Sequence, residues 1–369
     1  MPTYLHQRQE WPVFHWNSEL LLPLVSLVRN RQGRLIGKMA AVGFELRNEA
    51  NLEMLTLDVL KSTEIEGEFL DREQVRSSIA RRLGLDVSGL VNSDRNVDGM
   101  VDLMLDATRN FEKSLSKERL FNWHEWLFPD GKSGMYSIIS GNWRNDSTGP
   151  MQVVSGPLGK EKVHFEAPAA AKLENEMRIF LDWFNLDQNT DLVLKAAVAH
   201  LWFVTVHPFE DGNGRIARAL SDMLLARSDE QFFRFYSMSS QIRKERSSYY
   251  DILEKTQKGT LDISNWLSWF LNCLLLAIEG SEKILEKTTF KHFFWLKHAK
   301  TPLNERQNKL LNLLLLDFEG KLNTTKWAKI AKCSQDTALR DIQDLMAKEV
   351  LQKSEQGGRS TNYELRKVE

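Results

Sequence analysis

Twelve residues, His207-Pro-Phe-Glu-Asp-Gly-Asn-Gly-Arg-Ile-Ala-Arg218, gather a base, an acid, two glycines and two arginines. His207, with an ordinary pKa near ~6.5, can take a proton from an attacking hydroxyl at neutral pH. Asp211 suits Mg2+, which takes few carboxylates and completes its shell with phosphate oxygens and water. Gly212 and Gly214 allow positive φ and close approach of the backbone to a ligand. Asn213 can bond a phosphate. Arg215 and Arg218, three apart, project from one side of a helix and offer forked donors to phosphate oxygens. A helix starting near Asn213 adds free N–H groups and the positive end of its dipole. Together these types describe a polyphosphate cradle with a proton acceptor beside it. A Walker-type run is absent, because Gly156-Pro-Leu-Gly159-Lys160 lacks the spacing, and no kinase signature set occurs.

The elements that must hold this run are mostly helical. Leu192–Val206 is apolar on nearly every face, which predicts a central buried helix. Pro208 cannot extend it, so the chain turns at His207. Helical spacing also marks Leu20–Asn30, Leu35–Leu60, Asp71–Leu83, Val97–Leu115, Ala167–Asn185, Asn213–Arg227, Arg246–Gln257 and Ile263–Leu285. Met151–Val154 and Lys162–Phe165, around a turn with Gly156, Pro157 and Gly159, predict a β-hairpin lying on the helical body. Its free edge can accept an extended peptide, or it is a plain surface hairpin. His124 and His200 read as buried structural histidines.

A second signal lies at Lys61-Ser-Thr-Glu-Ile-Glu-Gly-Glu68. The helix through Leu60 should stop at Gly67. Ser62 and Glu66 are four apart and share a face. An acid in a last helical turn opposes the dipole, so Glu66 calls for a cationic partner elsewhere or is simply solvated.

The 369 residues allow two or three domains. Apolar residues make up 42% and charged residues 27%, and 49 cations against 50 anions leave no field favouring nucleic acid or anionic membrane. Two distant cysteines, Cys273 and Cys333, argue against a disulfide scaffold. Charge at the N-terminus, where a signal peptide needs an apolar stretch, and apolar runs too short to span a bilayer point to a soluble cytoplasmic protein. Apolar helical surfaces are compatible with a homodimer. After Lys287, three helical patterns (Leu303–Phe318, Thr325–Ala331, Gln335–Lys348) precede Val350–Lys353 and Asn362–Leu365 around Gly357-Gly358, an order like a winged helix-turn-helix. The last of these helices, the candidate recognition helix, carries Arg340 and Lys348 but also Asp336, Asp341 and Asp344, so positive potential is diluted and a protein-interaction or dimerisation module is favoured. DNA binding by this domain, in a transcriptional regulator, stands as the alternative to an enzyme.

Residues 207–218 resemble the full signature of the Fic family, His-Pro-Phe-x-Asp-Gly-Asn-Gly-Arg-x-x-Arg, whose members mostly transfer AMP from ATP onto protein hydroxyls. The resemblance, over roughly 95–285, implies a mainly α fold: a Fic-type helical core at 95–286 with the hairpin as flap and an N-terminal helical domain at 1–94, to which the pattern after Lys287 adds the winged-helix-like domain at 287–369. It implies His207 as general base, Asp211 as Mg2+ ligand, Gly212, Asn213, Gly214 and Arg215 at the α- and β-phosphates, and Arg218 at the γ-phosphate. Tyr250, Leu253 and Gln257 fall at the adenine side, with Gln257 where many members carry Asn. Ser62-x-x-x-Glu66-Gly67 resembles the inhibitory motif of some members, which implies that Glu66 pairs with Arg218 and turns ATP away from in-line attack. ATP and Mg2+, a protein substrate (the chain itself included) and release of pyrophosphate follow from that resemblance. Another nucleotide donor, or removal of AMP, are the alternatives within the family.

Overall fold

The computed structural model describes residues 3–85, 89–147, 149–156, 160, 162–315, 318, 320–354 and 361–366. The chain divides into two compact units, Met1–Glu282 and Lys283–Glu369. The fold is mainly α, with small two-stranded sheets. Among the described residues no helix is long and apolar enough to cross a membrane.

The first unit opens with α1 (Ser18–Ala40) and α2 (Phe44–Ile65). The apolar spacing of 35–60 predicts one helix, but the chain breaks at 41–43 and Gly43 caps α2 in extended backbone. α1 instead runs on through Gly33 and Gly37. α3 (Arg72–Leu83) is capped by the Asp71 carboxylate and stopped by left-handed Gly84. α4 (Arg95–Arg109) ends six residues before the predicted Leu115, and α5 (Lys117–Leu127) follows behind a Ser116 cap. α5 has no counterpart in the sequence expectations.

Strands β1 (Lys132–Ser133) and β2 (Tyr136–Ser137) form a tiny hairpin. The larger predicted hairpin is β3 (Gln152–Ser155) and β4 (Lys162–Glu166), antiparallel, pairing Gln152 with Glu166 and Ser155 with Lys162. A register shift falls between Val153 and Val154. Val153, Val154 and Val163 are exposed, whereas Phe165 is buried against Tyr4 and His6. The Pro157–Gly159 turn lies outside the described residues.

α6 (Leu173–Leu186), α7 (Leu192–Val206) and α8 (Asn213–Asp229) carry the centre of the unit. α7 is buried from Val193 to Val206, so no face is left for water. α9 (Met238–Lys244), α10 (Arg246–Gln257) and α11 (Ser264–Lys297) complete it, the chain passing to the second unit within α11. The core is strongly aromatic: Trp123, Phe180, Phe184, Phe203, Phe209 and Trp266 are fully enclosed.

The second unit packs α12 (Glu305–Leu315), α13 (Thr324–Ala331) and α14 (Gln335–Ala347) with the antiparallel β5 (Leu351–Lys353) and β6 (Tyr363–Leu365). Leu310, Leu311, Trp327, Ile342 and Leu345 form its core. Lys332, in left-handed backbone, makes the short turn between α13 and α14. On α14, Asp341 accepts two hydrogen bonds from Arg306, and Lys348 pairs with Asp344 at 2.6 Å. The Gly357–Gly358 turn lies outside the described residues.

Candidate active site

The site begins where α7 ends. His207 caps α7 with φ 51 and ψ 59, a left-handed conformation that disfavours a residue with a β-carbon. Its Nδ1 lies 3.2 Å from the Val204 carbonyl. A carbonyl only accepts, so Nδ1 carries the proton and Nε2 keeps its lone pair. Burial pushes the imidazole down to about 4; the Arg144 cation adds to the shift, while the Val204 carbonyl, Asp211 and Glu66 oppose it. The ring is neutral at pH 7.

The loop after His207 is tightly held. Asn213 donates from Nδ2 to the Phe209 carbonyl at 2.8 Å and accepts the Phe209 N–H at 3.0 Å through Oδ1, so its amide closes the turn. Phe209 stacks on His124 with centroids 4.2 Å apart. The Gly141 N–H donates to His124 Nδ1 at 3.1 Å, which leaves Nε2–H to donate to the Asp211 carbonyl at 3.2 Å. Burial lowers the His124 pKa to about 4, fixing that neutral tautomer. Glu210 accepts the Ile139 N–H at 2.8 Å. Gly212, at φ 78, turns the chain into α8 with Phe128 where a β-carbon would project.

The Asp211 carboxylate accepts the Gly212 N–H at 2.6 Å and the Ser133 hydroxyl from β1, with Arg215 4.0 Å away. It stands at the N-terminus of α8, where an anion would dock. Among the described residues no group of three or more His, Cys, Asp or Glu side chains forms a metal cage. A lone carboxylate still fits Mg2+ bound largely through phosphate oxygens and water.

Both arginines meet the C-terminal end of α2. Arg218 is buried, donating from Nε to the Ser62 hydroxyl at 2.9 Å and from Nη2 to the Ser62 carbonyl at 2.8 Å. Nη2 also lies 2.8 Å from Glu66 Oε1. Glu66 is the C-cap of α2, and Gly67 follows at φ 90. Over Gly214, a β-carbon would run into the Glu66 carboxylate. Arg215 pairs through Nη1 with Glu68 at 2.8 Å and lies 4.9 Å above the Phe128 ring. Arg218 Nη1 and Arg215 Nε are buried with no hydrogen-bond partner.

On α10, the Tyr250 hydroxyl lies 3.3 Å from Glu66 Oε2. Leu253 is buried, and Gln257 Nε2 donates to the Val204 carbonyl at 3.4 Å and Thr205 Oγ1 at 3.3 Å. His207, Asp211, Gly212, Asn213, Gly214, Arg215 and Arg218 thus converge with Ser62, Glu66 and Tyr250, while Leu253 and Gln257 pack beside the end of α7. His200 is buried, with Ser221 3.1 Å from Nδ1 and the Tyr249 hydroxyl 2.8 Å from Nε2.

Spacing alone did not point to Glu68, Ser133, Arg144 or Arg246, whose Nε donates to the Ile65 carbonyl at 2.6 Å beside Glu66. Glu68 follows the Glu66 stretch by two residues, the one hint available. On β4, His164 faces Glu254 of α10 through Nδ1 at 2.6 Å and Ser155 through Nε2 at 2.6 Å, tying the hairpin to α10.

A model of the Fic/DOC family matches residues 114–225, and a model described as a domain of unknown function, DUF4172, matches residues 4–85. Protein adenylyltransferase fic-1 of Caenorhabditis briggsae is 30% identical over 236 residues, which cover 58% of this chain and 42% of that protein. Protein adenylyltransferase Fic of Drosophila willistoni is 34% identical over 108 residues, covering 29% of this chain and 20% of that one. The chain therefore spans less than half the length of these relatives. In fold, it resembles a Fic family protein from Desulfovibrio desulfuricans G20, with TM-score 0.55 over 96% of this chain and 98% of the other at 20% identity. A Fic domain containing signaling protein from Bacteroides thetaiotaomicron VPI-5482 gives TM-score 0.50 over 73% and 96%, also at 20% identity. The helical frame and its His-Pro turn into a helix N-terminus are those of a Fic-fold protein. Residues 114–225 thus match the Fic/DOC family, in a chain whose fold is that of Fic-family structures.

Proposed function

We propose that this chain is a protein adenylyltransferase that moves AMP from ATP to a Ser, Thr or Tyr hydroxyl of a protein. One observation carries the reading. A neutral His207 with a free Nε2 stands beside a helix N-terminus where two buried arginines each keep an unpartnered donor. Such donors await an anion, because leaving them bare is costly.

In this reading the target oxygen attacks the α-phosphorus, its proton passes to His207 Nε2, and the bond to pyrophosphate breaks. Arg215 and the backbone N–H groups of Gly212, Asn213 and Gly214 hold the inner phosphates, the Asn213 side chain being spent on the Phe209 backbone, while Arg218 holds the outermost and the α8 N-terminus offsets the growing charge. Asp211 would hold Mg2+, which supplies charge neutralisation at the phosphates when bound. Tyr250, Leu253 and Gln257 line the base side, and the exposed edge of β3 takes the target segment by strand addition. The domains are 1–94, 95–286 and 287–369.

The same reading makes the protein autoinhibited. Glu66 stands on the guanidinium that the γ-phosphate needs, so ATP's outer phosphate and the carboxylate compete. The test is direct. Glu66→Gly protein is incubated with α-labelled ATP and a cell lysate, and labelled peptides are read by mass spectrometry. An AMP adduct that disappears on adding His207→Ala supports the proposal; a lysate with no adduct sinks it.

A further inference from the structure

The turn at His207 is kept by a residue outside the signature. The His207 and Pro208 carbonyls lie past the last turn of α7, and Arg144 takes both. It donates from Nε to the His207 carbonyl at 2.7 Å and from its backbone N–H to the Pro208 carbonyl at 2.9 Å. The same guanidinium donates from Nη2 to the Pro168 carbonyl at 2.5 Å and from Nη1 to Asp146 Oδ1 at 2.9 Å. Asp146 Oδ2 accepts the Ala170 N–H at 2.7 Å. Asp146 precedes β3, and Pro168 and Ala170 follow β4. Arg144 therefore sits where both ends of the β3–β4 hairpin meet the turn of His207. It is only 3% exposed, and each side-chain nitrogen has a protein partner.

We propose that Arg144 is a positioning residue for nucleotidyl transfer, locking the left-handed His207 turn and fastening it to the base of the hairpin that presents the target. The proposal rests on the reading of His207 as the proton acceptor. The backbone angles of His207 fix where its β-carbon points, so the peptide that Arg144 grips sets the direction of the imidazole. The planar fork matters: one guanidinium serves carbonyls on opposite sides, whereas an ammonium is a single point on a flexible stem. Arg144 has no part in phosphate binding here, since its three side-chain nitrogens are committed to protein oxygens.

The experiment uses the full chain in the Glu66→Gly background, with Arg144→Ala and Arg144→Lys. For Arg144→Ala, kcat for AMP transfer falls roughly 100-fold, the scale of a one-ångström misplacement, while KM for ATP changes little. Arg144→Lys falls between alanine and parent. Millimolar guanidinium ion restores part of the Arg144→Ala rate and none of the His207→Ala rate. In parallel, hydrogen exchange is followed by mass spectrometry in a peptide covering 203–214, which Arg144→Ala accelerates without changing peptides of α4. Should Arg144→Ala not fold, Arg144→Lys carries the same measurements.

An unchanged kcat, a loss confined to KM, or unchanged exchange over 203–214 overturns the proposal. If the Glu66→Gly parent transfers no AMP, the nucleotidyl reading falls, and the exchange result alone decides whether Arg144 holds the turn.

Discussion

Arg218 and Glu66 form a 2.8 Å ion pair across two helices, and Arg218 also draws on the hydroxyl and carbonyl of Ser62. The carbonyl belongs to the last turn of α2, where a cation is favoured by the helix dipole. Ser62 and Glu66 stand one helical turn apart, so a single guanidinium reads both. The rest of the nitrogen inventory is incomplete: Nη1 stays unbonded inside the protein.

Removing the acid should therefore free the arginine for phosphate. We expect Glu66→Gly to raise the rate of AMP incorporation roughly 10- to 100-fold, the range of one charge-assisted hydrogen bond of about 1.5–3 kcal/mol. Labelling from α-labelled ATP, compared at equal protein, checks it. Equal rates in wild type and variant would show that the pair does not restrain the reaction.

The pH dependence follows from His207. In the proposed reaction the working form is the unprotonated ring, whose pKa burial pushes down to about 4. Above that value the base is present, and it is lost as pH falls through it. The acid side of the kcat/KM profile of Glu66→Gly should stay flat from neutrality to near pH 5 and then drop. An acid limb centred near the ordinary histidine value, about 6.5, contradicts the buried, proton-free assignment.

Glu68 offers a separate handle. It is half exposed where it meets Arg215, so Glu68→Gln should change unfolding stability by less than about 1 kcal/mol. If Arg215 serves the inner phosphates, the same change lowers KM for ATP in the Glu66→Gly background. A KM that rises or stays fixed places Arg215 outside the phosphate site.

A deeper layer joins the same two helices. Arg234 bonds Asp222 of α8 at 2.6 Å and lies 4.0 Å from Asp58 of α2, all three buried. Burial raises both carboxylic pKa values, against the pull of Arg234. Arg234→Met leaves these acids without their cation and should cost about 3–5 kcal/mol in denaturant unfolding. A cost below about 1 kcal/mol would mean that the acids are already neutral.

The contiguous part of the site was legible because chemistry and local structure coincide there. Pro208 stops α7, glycines mark the turn, and the arginines keep helical spacing, all within twelve residues. α7 announced itself by the lack of any polar face. Other elements were harder. Leu35–Leu60 keeps its apolar period across the break at 41–43, so only Gly43 could have marked the division. α9 has seven residues, too few for a period to show. α5 did carry a signal, a Ser116 cap before buried Leu120, Trp123 and Leu127, but its polar residues obscured it. Arg144, Ser133 and Arg246 belong to the site through contacts between separate elements, and no local pattern encodes those.

Gly214 has a consequence for how this protein can change. The Glu66 carboxylate rests where a side chain at 214 would grow, and the same bare backbone belongs to the anion nest of α8. A larger residue there expels the acid and blocks the nest in one stroke. On the proposed reading, genetic routes to activation are one-sided: substitutions that switch the protein on fall in Ser62–Glu66, and those in 207–218 only switch it off. A screen for hyperactive alleles would return one helix end and leave the other untouched.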